Sequence, residues 1–386
     1  MGKINDQYAI AGVGESERSR DSGTTPLHLA IQAAKKALND AGLNAKDIDG
    51  VMSYNTNDSC TSHELATRLG VRPKYVKDIM GGGSSTEMLI GDAIALIEAG
   101  MLDTVLIFRA MNGSSGQKVG RGYDPDSLQE MMTGGSFLMP YGSASPSQWF
   151  GMFATRHMAE NNITKEHLGH VCVSFYEHAQ KNPNAFLYGK PLTMEDYLET
   201  PDISYPFNIH DSSLELDEAN AIIVMSAEKA KTLRSKPVYI AGISTRQCHP
   251  HAHYWNEIDY VAADYAADEL YNSVDIKPED IDVAAIYDCF SWVVLRQLEA
   301  YRLAPKGKVG EFVAEGNLKM DGKLPTNTAG GMLSEGYTHG MNNVLEIVRQ
   351  LRHEYAGTDR QVEDCKIGIC TGWSGPDIAG AMLLRN

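Results

Sequence analysis

At 386 residues, with 43% apolar residues and a net charge of −16, the chain is too long for one ordinary core and predicts two domains or one duplicated unit. The acidic balance argues against a nucleic-acid binder, which needs a basic face, and no run reaches the ~18 apolar residues of a membrane span. Six cysteines in so long a chain make no disulfide framework, and Met1 to Asp6 carry no leader pattern, so the expectation is reduced thiols in a cytoplasmic protein.

Taken in order, Ile10-Ala-Gly-Val-Gly14 reads as the end of a first buried strand entering a turn. Gly12-x-Gly14 is a weak phosphate-loop signal, and Glu15 and Glu17 beyond it would repel phosphate. Thr25-Pro26 opens a helix whose apolar positions Leu29, Ala33, Ala37 and Leu38 follow the helical period, and Ala41-Gly42 ends it. Lys46 to Tyr54 is a short connection and a strand. The turn Gly81-Gly-Gly-Ser-Ser85 feeds a helix over Thr86 to Ala99, capped by Gly100, before a strand over Asp103 to Phe108. From Asn112 to about Tyr205 this rhythm breaks into a stretch rich in Gly, Ser, Met and Pro, with helical runs at Gln148 to Asn161 and Lys165 to Gln180. It reads as an insertion covering a site, its methionines suiting an adaptable apolar pocket or ordinary core filling.

A second copy of the first unit follows. Tyr260 to Tyr271 is helical, and Ile276 to Tyr287 repeats the connection and strand. Ile48-Asp49 matches Ile281-Asp282 at an offset of 233 residues, which also lays Tyr54 on Tyr287. The order continues with a Gly-rich turn over Gly330 to Gly340, a helix over Asn342 to Arg352 and a strand over Lys366 to Cys370. Alternating strands and helices predict an α/β fold with parallel sheets covered by helices. The division is 1–111 and 206–235 for the first half, 112–205 for a loop domain and 236–386 for the second half.

The densest chemistry lies in Asn327-Thr-Ala-Gly-Gly-Met-Leu-Ser-Glu-Gly-Tyr-Thr-His-Gly340. Such glycine density means a tight turn or a close approach, here carrying Tyr337 and His339 to the mouth of a helix. A helix N-terminus favours negative charge, so a lowered Tyr337 pKa is expected. His249, His251 and His253 fall at period two, a spacing that could hold zinc, but the stretch reads better as a loop at the substrate mouth, and no metal is assigned. Cys60, Cys172 and Cys365 read as structural.

Several segments together resemble the thiolase superfamily, most closely its lipid-transfer-protein (sterol-carrier-type) thiolases. They are Asn182-Pro-Asn-Ala185, Pro191 to Tyr197, Pro201 to Pro206, Asp217-Glu-Ala-Asn-Ala221, Tyr287-Asp-Cys-Phe-Ser291, Asn327-Thr-Ala-Gly-Gly331 and Cys370-Thr-Gly372. The resemblance implies a five-layer αβαβα fold with two pseudo-equivalent halves and an inserted loop domain. Three departures decide the chemistry. The family's nucleophilic cysteine position falls on Gly83, its Gly-His-Pro histidine on Tyr337, and the histidine of its His-Asp-Cys-Phe motif on Tyr287. Without a thiol there is no ordinary acyl-enzyme. The branch that shares these changes, the steroid side-chain aldolases, implies retro-aldol cleavage of a β-hydroxyacyl-CoA.

That resemblance casts Tyr337 and Tyr287 as catalytic, and Gly83, Ser84, Tyr254, His339, Cys370 and Gly372 as substrate-binding. CoA enters as part of the substrate and no cofactor is expected in the chain. It also implies a homodimer, enlarged to a heterotetramer by an OB-fold, zinc-ribbon partner protein. Two alternatives stand beside it: acyl transfer with Ser84, Ser85 or Cys370 as carrier, and a non-catalytic thiolase-like subunit that binds acyl-CoA.

Overall fold

The computed structural model describes residues 4–116, 139–143, 145–248 and 260–386. Tyr254 and the histidines at 249, 251 and 253 lie outside the described residues. In chain order the elements are β1 (Tyr8–Glu15), α1 (Pro26–Ala41), β2 (Gly50–Asn55), α2 (Ser62–Leu69), β3 (Tyr75–Met80), α3 (Ser85–Glu98) and β4 (Thr104–Asn112). The inserted segment supplies α4 (Pro146–Asn161), α5 (Lys165–Lys181), α6 (Met194–Glu199), β5 (Asp202–Ser204) and β6 (Phe207–Asn208). Then come β7 (Asp217–Ser226), α7 (Ala227–Ala230), β8 (Val238–Gln247), α8 (Ala262–Ser273), β9 (Val283–Ala285) and α9 (Ser291–Ala300). The chain closes with α10 (Val309–Ala314), α11 (Gly331–Ser334), α12 (Met341–Leu351), β10 (Ile367–Gly375) and β11 (Ile378–Arg385).

Local signals explain the first helix. The Thr25 side chain accepts the His28 N–H, Pro26 occupies the first turn, and Gly42 ends α1 in the left-handed conformation. Gly12 and Gly14 are packing residues, because a Cβ at either would lie 2.4 or 2.3 Å from carbonyl oxygens of Ala37 and Ala33. The pair lets α1 lie directly on β1, and it cradles no phosphate.

Nine strands run in the order β3-β2-β4-β7-β1-β8-β11-β10-β9. The first five come from residues before the second copy and the last four from within it, joined by a short antiparallel contact of Ala9 with Tyr239 and Ile10 with Val238. The sheet is mixed, which corrects the expectation of parallel sheets. β2 pairs in parallel with β3 and β4, and β9 with β10, as crossover helices require. β7 runs antiparallel to both β4 and β1, and β11 runs antiparallel to β10 and β8. The physical reason is connectivity: β10 and β11 are joined by a tight turn, and β7 returns from the insertion without a crossover helix.

Three apolar cores separate the layers. One lies between α1 and the strands β1, β4 and β7, and includes Leu29, Ala33 and Phe108. A central one joins α3 and α12 to strands from both copies, through Leu89, Ile90, Met341, Val344 and Cys370. The third lies between α8, α9, the insertion's α5 and the outer side of β8 to β11. Helix, sheet, helix, sheet, helix is the expected five-layer order. Asp211 ties the insertion down: it accepts from Tyr197 at 2.7 Å, from Ser291 at 2.5 Å and from Lys165 at 3.0 Å. Among the described residues no helix is long and apolar enough to cross a membrane.

Candidate active site

The glycine-rich stretch is built against the loop that follows β9. Asn327, at φ +51°, accepts the Ile286 N–H at 2.7 Å and donates to the Ile286 carbonyl at 2.9 Å. Gly331, at φ +61°, must lack a side chain, since its Cβ would stand 2.3 Å from Asp288 Oδ2. Burial lifts the Asp288 carboxyl to about 7, opposed by backbone N–H groups of Met332 and Leu333. Glu218 then takes the Tyr337 N–H at 3.1 Å and the Arg18 guanidinium at 3.0 Å. These contacts hold the turn so that Tyr337 points inward, where it is buried.

Tyr287 is clamped by its backbone. Its N–H donates to Thr371 Oγ1 at 3.1 Å, its carbonyl accepts from Gln297 at 2.7 Å, and Thr371 donates to Gln297 at 2.7 Å. Its ring fills the place of a side chain at position 83. A Cβ on Gly83 would lie 2.0 Å from Tyr287 Cζ, 2.1 Å from Cε2 and 2.4 Å from the Trp373 carbonyl oxygen. Gly340 packs on the same ring, where a Cβ would come 3.0 Å from Cδ2. Gly83 and Tyr287 are therefore sterically coupled: the phenol occupies the space that a side chain at position 83 would take.

Tyr287 and Tyr337 lie close enough that each phenol's ionisation is affected by the other. Burial pushes both phenols up, which corrects the expectation of a lowered Tyr337 pKa. The helix terminus cannot offset it, because α12 begins after Gly340 and its first N–H groups do not meet the phenol. Between the two, Tyr337 opposes ionisation of Tyr287, and Tyr287 favours that of Tyr337. Tyr54, the repeat-mate of Tyr287, is spent on structure: its hydroxyl meets Thr86 Oγ1 at 2.8 Å and donates to the Thr338 carbonyl at 3.0 Å.

The other predicted site residues divide. His339 lies beside Tyr337, with ring centroids 4.7 Å apart. Ser84 sits at the N-cap of α3 but makes no capping bond; its hydroxyl meets Ser374 Oγ at 2.7 Å, and neither it nor Ser85 has a recorded bond to a histidine or carboxylate base. Gly372 packs under α3, where a Cβ would stand 2.2 Å from Glu87 Oε2 and 2.6 Å from the Gly83 carbonyl oxygen. Cys370 is in the central core, its thiol pushed well up by burial and then by Glu87, so it is no thiolate. Sequence reasoning missed Arg109 and Asp58. Arg109 is fully buried in β4 and pairs with Asp58 at 2.5 Å. An arginine inside the apolar run of β4 was itself a signal; Asp58 gave none. Among the described residues no cluster could hold a metal ion.

This is a thiolase-type scaffold with its acyl-carrying cysteine position closed. Residues 244–383 match the family model described as thiolase C-terminal domain-like. The steroid side-chain-cleaving aldolase of Thermomonospora curvata is 33% identical, over 99% of both chains. The 17-hydroxy-3-oxo-4-pregnene-20-carboxyl-CoA lyase of Mycobacterium tuberculosis is 34% identical, over 96% of this chain and 97% of that one. The solved Ltp2-ChsH2(DUF35) aldolase superposes with a TM-score of 0.91 at 32% identity, over 100% of this chain and 99% of that one. The chain belongs to the thiolase superfamily, in the branch of the steroid side-chain-cleaving aldolases, carbon–carbon lyases of the thiolase fold.

Proposed function

We propose that the protein cleaves the Cα–Cβ bond of a β-hydroxyacyl-CoA thioester by a retro-aldol reaction, with a steroid side chain as the acyl group. The observation that carries this reading is the Tyr287 ring lodged against Gly83, which removes the acyl-enzyme route and puts a phenol pair in its place. As the Cα–Cβ bond breaks and its electrons pass toward the thioester, the β-hydroxyl proton moves to one phenol while that phenol passes its own proton to the other and the other gives its proton to Cα, so neither phenol carries an extra proton. A ketone or aldehyde leaves, releasing a shorter acyl-CoA such as propionyl-CoA or acetyl-CoA. Protons balance without a standing base, so phenols pushed above their ordinary pKa serve as a relay. The steroid skeleton rests on the names of the relatives that match across the whole chain.

The acyl-transfer alternative has less support: Ser84 is bonded to Ser374, Ser85 is buried at the start of α3, and burial pushes the Cys370 thiol well up. A purely binding subunit would not need two buried phenols that act on each other's ionisation.

The matched aldolase structure names two components, and a heterocomplex with a second protein follows for this chain; we take that partner to be an OB-fold, zinc-ribbon protein. A homodimer is supported by β3, the end strand of the sheet, which exposes Val76 and Met80. Beside it lies a cleft of about 840 Å³ lined by Ile79, Met88, Ile94 and Ile243. The test is product analysis with a steroid β-hydroxyacyl-CoA, with and without the partner. A ketone or aldehyde plus a shortened acyl-CoA is expected; intact substrate under both conditions refutes the reading.

A further inference from the structure

The site contains one polar arrangement that the phenol relay does not use. Arg109 donates through Nη1 to the Ala110 carbonyl at 2.8 Å, and its Nη2 lies 2.5 Å from Asp58 Oδ2 and 3.2 Å from His339 Nδ1. Asp58 is itself held by the Thr56 N–H at 3.0 Å. A guanidinium has only donors. His339 Nδ1 must therefore accept, and the ring proton is on Nε2. Nε2 has no hydrogen-bond partner among the described residues. The backbone at His339 is left-handed, φ +49°, which few non-glycine residues adopt. The ring is wedged there between Tyr337 and the edge of Tyr54, at 4.7 and 6.4 Å between centroids. Burial, and then the Arg109 charge, hold the imidazole well below its ordinary pKa, so it stays neutral. Asp58 is held below the carboxylate range: burial opposes this, and the Arg109 charge outweighs it.

We propose that Asp58 and Arg109 are positioning residues that preset His339 as a neutral Nε2–H donor to the thioester oxygen of the acyl-CoA. This rests on the aldolase reading and says where the enolate charge is received. Retro-aldol cleavage engages two oxygens. The β-hydroxyl oxygen loses a proton, which the phenol pair handles. The thioester oxygen gains charge and needs a donor already aimed at it that does not give its proton away. A neutral imidazole whose Nδ1 is taken up by a guanidinium donor fits that role, and it cannot compete with the phenols as a base.

The test measures affinity, not turnover, on the full chain. An acyl-CoA thioester without the β-hydroxyl is titrated calorimetrically, in parallel with its thioether analogue, which lacks the carbonyl oxygen. The wild type should prefer the thioester by about three- to tenfold, the scale of one neutral hydrogen bond. His339→Asn keeps an acceptor for Arg109 but cannot reach the Nε2 position, and should bind the two ligands equally. His339→Gln, whose amide N–H does reach it, should recover part of the preference. Asp58→Asn should reduce the preference while leaving thioether affinity unchanged. A wild type with no preference, or folded His339→Asn that keeps it, overturns the donor role and leaves the aldolase reading standing. A wild type that binds neither ligand overturns both.

Discussion

Gly83→Ala puts the steric argument to its sharpest test. The added Cβ would sit 2.0 Å from Tyr287 Cζ and 2.4 Å from the Trp373 carbonyl oxygen. Carbon atoms rest at about 3.5–4.0 Å, so one partner must move by roughly 1.5 Å. The Trp373 carbonyl belongs to β10 and is held by its strand partners. The Tyr287 backbone is held by Thr371 and Gln297, and Gly340 packs against the ring. The ring therefore tilts and carries its hydroxyl away from Tyr337. Overpacking of this kind costs about 1–3 kcal/mol, and a misplacement near 1 Å costs on the order of 10² in rate. Thermal melting and turnover of a β-hydroxyacyl-CoA should register both losses. Combined with Tyr287→Ala, Gly83→Ala should destabilise by less than the sum of the two single changes, because the ring clash is gone while the Trp373 carbonyl contact remains, and the double variant should stay inactive. A Gly83→Ala protein with unchanged melting and turnover would refute the claim that the phenol occupies the space of a side chain at position 83.

Tyr337→Phe keeps the ring and removes one hydroxyl, and should lower turnover by about 10²–10⁴ with melting unchanged; near-normal turnover would take Tyr337 out of the relay. Intact-mass spectrometry after incubation with acyl-CoA should show no covalent adduct, and a stable gain on Ser84, Ser85 or Cys370 would favour acyl transfer. Light scattering at micromolar concentration should give at least a dimer, since β3 and its cleft leave apolar surface exposed; a monomer would sink that assignment. Glu87 is buried with Oε2 unpartnered, and burial lifts its carboxyl from 4.5 to about 8. Its folded form binds the proton more tightly than its unfolded form, so its contribution to stability is full below about pH 4.5 and is lost as pH rises to about 8. Glu87→Gln should flatten that decline, measured as denaturation midpoints across the range; an unchanged slope would show that Glu87 ionises in the folded state at its ordinary pKa.

Local signals carried much of the architecture. Thr25-Pro26 and Gly42 mark α1 because capping and left-handed termination are short-range requirements, settled within four residues. The repeat at 233 residues was legible because two similar sheets need similar strand and helix patterns. Tyr337 and Tyr287 stood out because a motif shared with a superfamily made their departures visible. The sequence could not show strand direction, since a buried strand is the same apolar run whichever way it lies. Nor could it separate Tyr54 from Tyr287, which are equivalent in the repeat and opposite in use. Only the fold decided that, by giving the Tyr54 hydroxyl to Thr86 and Thr338 and setting Tyr287 beside Tyr337. The same holds for Asp58, Arg109 and His339, whose contacts span 51 and 230 residues of chain. Local physics sets where helices and strands begin and end, but a buried charge is satisfied by whatever the packed layers bring within 3 Å. That is a property of tertiary structure alone.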